Sequence, residues 1–298
     1  MLLWLSPWVS LAQDYSFSQY YLDKLSVSPA FVTVGDYSEV GASVRSQWPG
    51  IDGGCGIYMA EGQLKLPGIS SGLGARVFGN LEGGGAYSCT GASLIYGYEF
   101  PIVYNIKCGL GMEAGWRQSS LSQSGLIYGS MIDRITGQVS QINEYVPAGR
   151  QSSLEFGAGM VLYTKLTMMG VGLSRMGHIS LSGDEASDML INAIVNHKIV
   201  ISANPDREKQ FLVPCLCWQH SRAYDMLMPG MYYQDPRIML SVMYRMQWYS
   251  ADCITSAVVA SVGISVGRLE IGLGHDFETS GLLRHSHGAT EVGIKYKF

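Results

Sequence analysis

Charge is the scarcest resource in this chain. Only 15% of its 298 residues are Asp, Glu, Lys or Arg, against roughly a quarter in soluble domains. Long apolar runs are missing as well. No stretch approaches the roughly 18 consecutive apolar residues of a spanning helix; the longest candidates are Leu2 to Ala12 and Ala257 to Val262. A chain poor in charge yet without spanning helices fits the other structure that satisfies every backbone group in lipid, a closed β-barrel. With a net charge of −4 there is no basic patch for nucleic acid. The six cysteines form no Cys-x-x-Cys pair, which argues against a zinc or dithiol redox centre. Gly83-Gly84-Gly85 lacks a following Lys-Ser/Thr and reads as a turn, not a phosphate loop. No Gly-x-Ser-x-Gly nucleophile motif occurs. His285-x-His287 has no cysteine or clear carboxylate partner nearby, so it reads as a surface loop. The expectation is therefore no enzyme, no cofactor and no metal.

What is abundant is glycine (37 residues) and tyrosine (18 residues). Glycine serves tight turns and bends in closed sheets. Tyrosine, with its apolar ring and polar tip, suits a membrane–water boundary. Period-2 alternation then runs through the chain. Val40, Ala42 and Val44 alternate with Glu39, Gly41, Ser43 and Arg45; Leu110, Met112, Ala114 and Trp116 form another row. Ile238, Leu240, Val242, Tyr244, Met246 and Trp248 make one apolar face opposite Ser241, Arg245 and Gln247. Val262-Ile264-Val266, a Gly267-Arg268 connection and Leu269-Ile271-Leu273 read as a two-residue hairpin. Counting such segments gives an all-β, transmembrane outer-membrane barrel of about 14 antiparallel strands, near 37–47, 53–62, 69–79, 85–98, 103–117, 152–163, 166–175, 190–202, 209–219, 223–233, 237–248, 254–266, 269–278 and 289–298. The gaps 118–151 and 176–189 are polar and rich in Ser and Gly, and are expected outside the cell. Pro214 and Pro229 fall inside two of these strands, where bulges or strand ends are expected.

Ahead of the barrel, residues 1–12 (MLLWLSPWVSLA) end in a small-x-small pattern typical of export-signal cleavage, without the usual basic start. The mature chain is expected to begin near Gln13. Residues 13–36 are aromatic, and Tyr15, Phe17, Tyr20, Tyr21 and Leu25 are costly to leave in water. They predict a short N-terminal segment that folds inside the barrel as a plug or caps its periplasmic mouth, with the barrel proper at 37–298. Arg45 on the polar face points into the lumen, with Glu39 or Glu113 as expected partners, and His275-Asp276 reads as a hydrogen-bonded pair. Cys215 and Cys217 share one face of a strand and read as small buried residues.

Several motifs resemble one family. After the export segment the chain reads QDYSFSQYYLDKLSVSPAF. Asp14, Phe17, Ser18, Gln19, Tyr20, Pro29 and Ala30 match the start of PorP/SprF-type membrane proteins of the Bacteroidota type IX secretion system. Tyr15 replaces the usual proline and Ser28 the usual asparagine. Arg45-Ser46-Gln47-Trp48-Pro49-Gly50 is close to that family's Arg-Asn-Gln-Trp-Pro-Gly. Met131-Ile132-Asp133, Thr136-Gly137, Phe156-Gly157-Ala158-Gly159, Gly172-Leu173-Ser174 and Gly288-Ala289-Thr290-Glu291 are similar to further family segments. The resemblance implies an outer-membrane barrel in protein secretion. Such a barrel would dock periplasmic ring proteins, or the C-terminal domain of a secreted surface adhesin of the kind used in gliding motility. It marks Gln19, Tyr20, Arg45, Gln47, Trp48 and Asp133 as candidate partner-binding residues. A channel of the FadL type for small or hydrophobic solutes is the competing expectation, since fourteen strands also build that barrel.

Overall fold

The computed structural model describes residues 17–51, 53–122, 149–181, 188–202, 210–250, 253–280 and 286–298. The strands are β1 (Glu39–Gln47), β2 (Cys55–Leu66), β3 (Ser71–Glu82), β4 (Tyr87–Val103), β5 (Ile106–Leu121), β6 (Arg150–Tyr163), β7 (Thr167–Ser180), β8 (Leu190–His197), β9 (Ile199–Ser202), β10 (Gln210–His220), β11 (Asp225–Gln234), β12 (Ile238–Ser250), β13 (Cys253–Val266), β14 (Leu269–Glu278) and β15 (Ala289–Lys297). All belong to one sheet. The sheet closes because β1 pairs antiparallel with β15 along its whole length, from Glu39 opposite Lys297 to Gln47 opposite Ala289. Closure removes the edges that an open sheet would present to lipid.

β8 and β9 both pair with β10 and in a common register, Cys215 opposite Asn196 and Leu212 opposite Ile199. They are two halves of one wall strand interrupted at Lys198, so the barrel has fourteen strands. The interruption has a cause across the ladder. In that register Pro214 stands beside the break, and proline has no N–H to donate. Pro229 acts likewise: the β11–β12 ladder runs from Asp225–Trp248 to Leu227–Met246 and resumes at Gly230–Met243 in unchanged register. Neither proline ends its strand or makes a bulge, contrary to the expectation from sequence. Each opens a short gap in the ladder on one side.

The alternation is the expected one. Ile238, Leu240, Val242 and Tyr244 are exposed on the outer wall, while Ser241, Met243 and Arg245 between them are buried inside. Gly267-Arg268 forms the anticipated two-residue connection, with Gly267 at φ +63°. The start of β1 and the end of β15 lie at one rim, where the connections 67–70, 104–105, 164–166, 235–237 and 267–268 are short. The opposite rim carries 122–149, 181–189 and 279–288. Short turns on the terminal side and long loops opposite are the periplasmic and extracellular ends of an outer-membrane barrel. The two long gaps thus leave from the outer rim, though 123–148 and 182–187 lie outside the described residues.

Inside the wall runs the segment preceding β1. It contains one helical turn, α1 (Lys24–Val27), and a 3₁₀ turn over Pro29–Thr33. Ser28 caps the second turn by accepting a hydrogen bond from Ala30 N at 3.3 Å, and Pro29 supplies the preset φ of a first helical position. Phe17 packs on Cys55, Ile57 and Met59 at the outer end of β2, whereas Lys65 Nζ, at the periplasmic end of the same strand, donates to Thr33 O. The segment therefore threads the lumen from its outer half to the periplasmic rim. Tyr20, Leu25, Phe31 and Val32 join Val213, Cys215, Cys217, Met228, Met243 and Val259 in the main apolar core.

Candidate functional site: the lumenal plug and its seat

The outer part of the plug is held by ions. Arg45 on β1, Arg245 on β12, Asp276 on β14 and Glu291 on β15 all lie on inward-facing positions near the outer end of the lumen. Arg45 Nη2 and Arg245 Nη1 each reach Asp276 Oδ2 at 2.6 Å, and Arg45 Nη1 reaches Glu291 Oε2 at 3.3 Å. Two cations face two carboxylates, so the cluster is neutral. Ser18 sits at its centre. Its hydroxyl donates to Asp276 Oδ1 at 2.9 Å and accepts from Arg45 Nη1 at 2.6 Å, and from Arg245 Nη2. Glu291 completes the grip through both oxygens, accepting Ser18 N at 2.7 Å and Gln19 N at 2.9 Å. Gln19 Nε2 also donates to the Glu291 carbonyl at 3.3 Å, and Tyr21 OH donates to Gln19 Oε1 at 2.7 Å. Charge-assisted bonds to backbone N–H groups are strong, and buried ion pairs are costly to break once formed.

The inner part of the plug is held by shape. Gly72, Gly97, Gly111, Gly159 and Gly172 stand directly opposite one another on β3 to β7, forming one unbroken row across five strands. A Cβ at any of them would overlap the plug: the Val32 carbonyl at Gly72, Val32 and Thr33 side chains at Gly97, the Pro29–Ala30 peptide at Gly111, Ser28 Oγ at Gly159 and the Val27 carbonyl at Gly172. The row is a groove that lets plug backbone lie against wall backbone. Ser28 Oγ donates to Val171 O at 2.9 Å and Arg76 Nη1 to Leu25 O at 3.2 Å, which fixes the seat. On the opposite wall Gly272 and Gly293 pair beneath Gln19 and Leu22. Between the two holds lies Asp23, which accepts from Ser43 Oγ at 2.8 Å. Burial raises its carboxyl well above the usual range; Glu61 and Glu291 add to this, and Ser43 and Lys295 oppose it.

The residues singled out in sequence fall into two groups. Gln19, Tyr20 and Arg45 are buried in the plug–wall contact. Gln47 and Trp48 sit at the outer end of β1. Gln47 Oε1 accepts from Arg45 Nε at 3.2 Å, and Trp48 Nε1 donates to Glu278 Oε1 at 3.0 Å from a backbone at φ +56°. Asp133 lies outside the described residues. Arg45 points into the lumen, but its partners are Asp276 and Glu291, not Glu39 or Glu113. Glu39 is taken by Lys295 at 2.8 Å and Glu113 by Arg76. His275 and Asp276 do not pair. Neighbours on a strand face opposite sides, and His275 bonds Thr290 Oγ1 at 2.9 Å on the outer face. Cys215 and Cys217 are buried against Tyr20, and neither is in a disulfide. His285 lies outside the described residues, and among those described no group of three His, Cys, Asp or Glu is placed to hold a metal. Ser18, Arg245, Asp276 and the glycine row were missed. Their signal was present only as inward parity on separate strands.

A family model for the type IX secretion system membrane protein PorP/SprF matches residues 9–296. The chain belongs to this family. A search of curated proteins finds no match. Among solved structures, this PorP/SprF barrel is similar to the TodX ΔS2S3 mutant monoaromatic hydrocarbon channel (12% identity, 95% of this chain and 94% of that one, TM-score 0.53). It is also similar to the Ralstonia pickettii toluene transporter TbuX (10% identity, 93% and 94% covered, TM-score 0.52). At such identities the likeness is one of fold. Family and fold together make the protein a type IX secretion membrane protein of the outer membrane.

Proposed function

We propose that this barrel works as a docking component of type IX secretion and not as an open pore. In this reading an export segment, residues 1–12, precedes a plug segment, 13–36, and a barrel, 37–298. The partners are periplasmic ring proteins, or the C-terminal domain of a secreted adhesin of the gliding type. The observation that carries the reading is the occupied lumen. Plug residues from Phe17 to Thr33 are largely buried, and Gln19, Ala30 and Thr33 have no exposed surface. A barrel whose bore is filled by its own chain has its rims left for binding. Gln47 and Trp48 belong to the outer rim in this account, with Gln19, Tyr20 and Arg45 setting the plug behind them, and Asp133 stays a candidate contact on sequence alone. No catalytic role, metal or cofactor forms part of the proposal.

The similarity to hydrocarbon channels supports the competing reading, a conduit for small or hydrophobic solutes, which requires a route past the plug. One experiment separates the two. The tagged barrel is purified from native outer membranes, its companions are identified by mass spectrometry, and the same preparation is placed in a planar bilayer. Docking predicts stoichiometric type IX ring proteins or an adhesin C-terminal domain, with a silent bilayer. Recovery of the barrel alone with steady conductance refutes it.

A further inference from the structure

Below the outer cluster, the ion pairs of the lumen leave two carboxyls over. Arg76 is paired with Glu113, Lys295 with Glu39 at 2.8 Å, and Lys297 with Glu270. Asp23 on the plug and Glu61 on β2 remain. They are 2% and 6% exposed, and Asp23 Oδ2 and Glu61 Oε2 are buried without a hydrogen-bond partner among the described residues. The strand register brings the two together. Gly41 on β1 stands directly opposite Glu61 on β2 and, on its other side, directly opposite Lys295 on β15. Having no side chain, Gly41 puts nothing between them at this level. Asp23 reaches the same level from the plug, held by Ser43, the next inward residue of β1, through the bond to its Oδ1.

The surrounding charges do not neutralise both. Asp23 faces Glu61 from β2, Glu291 and Lys295 from β15, and Tyr21 on the plug itself. Glu61 faces Lys295 from β15, Arg76 from β3, Glu39 from β1 and Lys24 from α1. Arg76 and Lys295 already serve Glu113 and Glu39, and Glu291 is bound by Arg45. Lys24 alone is left against two carboxyls. A buried carboxylate with no counter-ion takes up a proton, and two neighbouring carboxyls do not both stay ionised. We infer that Asp23 and Glu61 bind one proton as a pair, and that this proton latches the middle of the plug to β2. One carboxyl belongs to the plug and the other to the wall, so the pair exists only while the plug is seated. Once the segment leaves its seat, Asp23 meets water, where a carboxyl is ionised at neutral pH. The seated state thus holds one proton more than the released one, and seating weakens as pH rises.

The test uses the full-length barrel in vesicles, as wild type, Asp23→Asn and Glu61→Gln. Heat-modifiable gel mobility confirms that each barrel has closed. Infrared spectra at neutral pH read the proton directly. The wild type is expected to show a protonated carboxyl band that both variants lack, because with either member gone Lys24 offsets the other. A band that survives Glu61→Gln belongs to a single buried acid and overturns the pair, as does a wild type without the band. Should one variant fail to close, the other and the wild-type band still decide. Amide exchange then tests the latch. In the Ser18–Asp23 peptide, the ratio of wild type to Glu61→Gln is expected to rise with pH by up to about tenfold per unit, the limit for one proton. A ratio that stays flat with pH overturns the inference. So does a ratio that follows sodium concentration at constant ionic strength, which makes the two carboxyls a cation site instead.

Discussion

Replacing Glu291 by alanine isolates the ionic hold on the plug. The side chain accepts two backbone N–H groups, from Ser18 and Gln19, and one arm of Arg45. Removal leaves all three donors buried without that acceptor, while Asp276 keeps Arg45 and Arg245 in place. Breaking a buried charge pair costs about 3–5 kcal/mol. Water entering the vacated space from the outer mouth restores some of this, so about 3 kcal/mol, the lower end, is the working figure. At about 1.4 kcal/mol per factor of ten, the fraction of time the outer plug is unseated rises roughly a hundredfold. Amide hydrogen exchange on the barrel in vesicles reads this directly. The peptide covering Ser18 to Asp23 should exchange roughly a hundredfold faster, with peptides from β13 unchanged. Glu291→Gln keeps a carbonyl acceptor and loses the charge. It should fall between, since hydrogen bonds to charged groups contribute about 1 kcal/mol more than neutral ones. A change below about tenfold in the alanine variant, or equal acceleration in β13, refutes the idea that this carboxylate holds the plug.

The glycine seat predicts a different failure. Gly111→Val places a branched side chain where the Pro29–Ala30 peptide lies; backbone cannot yield, so exchange in the Val27–Thr33 peptide should rise with a cost above about 1–3 kcal/mol. Gly56→Val, with nothing within 4 Å of its Cβ, should leave that peptide unchanged. Val242→Arg tests which face meets lipid: it should weaken refolding into vesicles by about 2–4 kcal/mol if the residue lies near the bilayer midplane, and an unchanged urea midpoint would place this row in the lumen. Asp23 gives a pH signature. Because its carboxyl is raised in the seated plug, the seated state binds more protons than the released one between about pH 3.9, the unfolded value, and the raised value. Seating therefore weakens as pH climbs through that window. Asp23→Asn should flatten the pH dependence of exchange in the plug peptide, and an unaltered profile would discount this residue.

The strands were legible because a closed wall between lipid and lumen forces period-2 patterning on every segment. The stretch 190–202 is one wall strand, as its pattern says. Its break at Lys198 is invisible along the chain because the cause, Pro214, sits on the neighbouring strand. Strands β4, β5 and β7 run beyond their expected ends, since pairing continues after apolar alternation fades. Pairing inside the lumen was not legible. Arg45 meets Asp276 and Glu291 more than two hundred positions away, a meeting created by barrel closure. The five glycines could be seen one at a time; their alignment needs the register of four ladders. The His275–Asp276 pairing, by contrast, contradicts the same alternation that located the strand, and the sequence alone was enough to reject it.

The two holds on the plug differ in what they give the wall. Glycine within a strand costs roughly 0.5–1 kcal/mol relative to alanine, and five in one row weaken β3 to β7 along one level. Plug backbone packed into that row replaces the missing side chains, so residues 27–33 act as part of the wall. The outer hold works otherwise. Arg45, Arg245, Asp276 and Glu291 satisfy one another's charge, and Ser18 and Gln19 add hydrogen bonds to a cluster that is already neutral. Water or another chain's N–H and hydroxyl groups can take the places of Ser18 and Gln19 without leaving an uncompensated ion. Movement at Phe17–Asp23 thus costs exchangeable polar contacts and the apolar burial of Phe17, Tyr20 and Leu22, whereas movement at Val27–Thr33 opens the wall itself. The glycine row, where plug backbone lies against wall backbone, is therefore the level at which opening the bore disturbs the wall most.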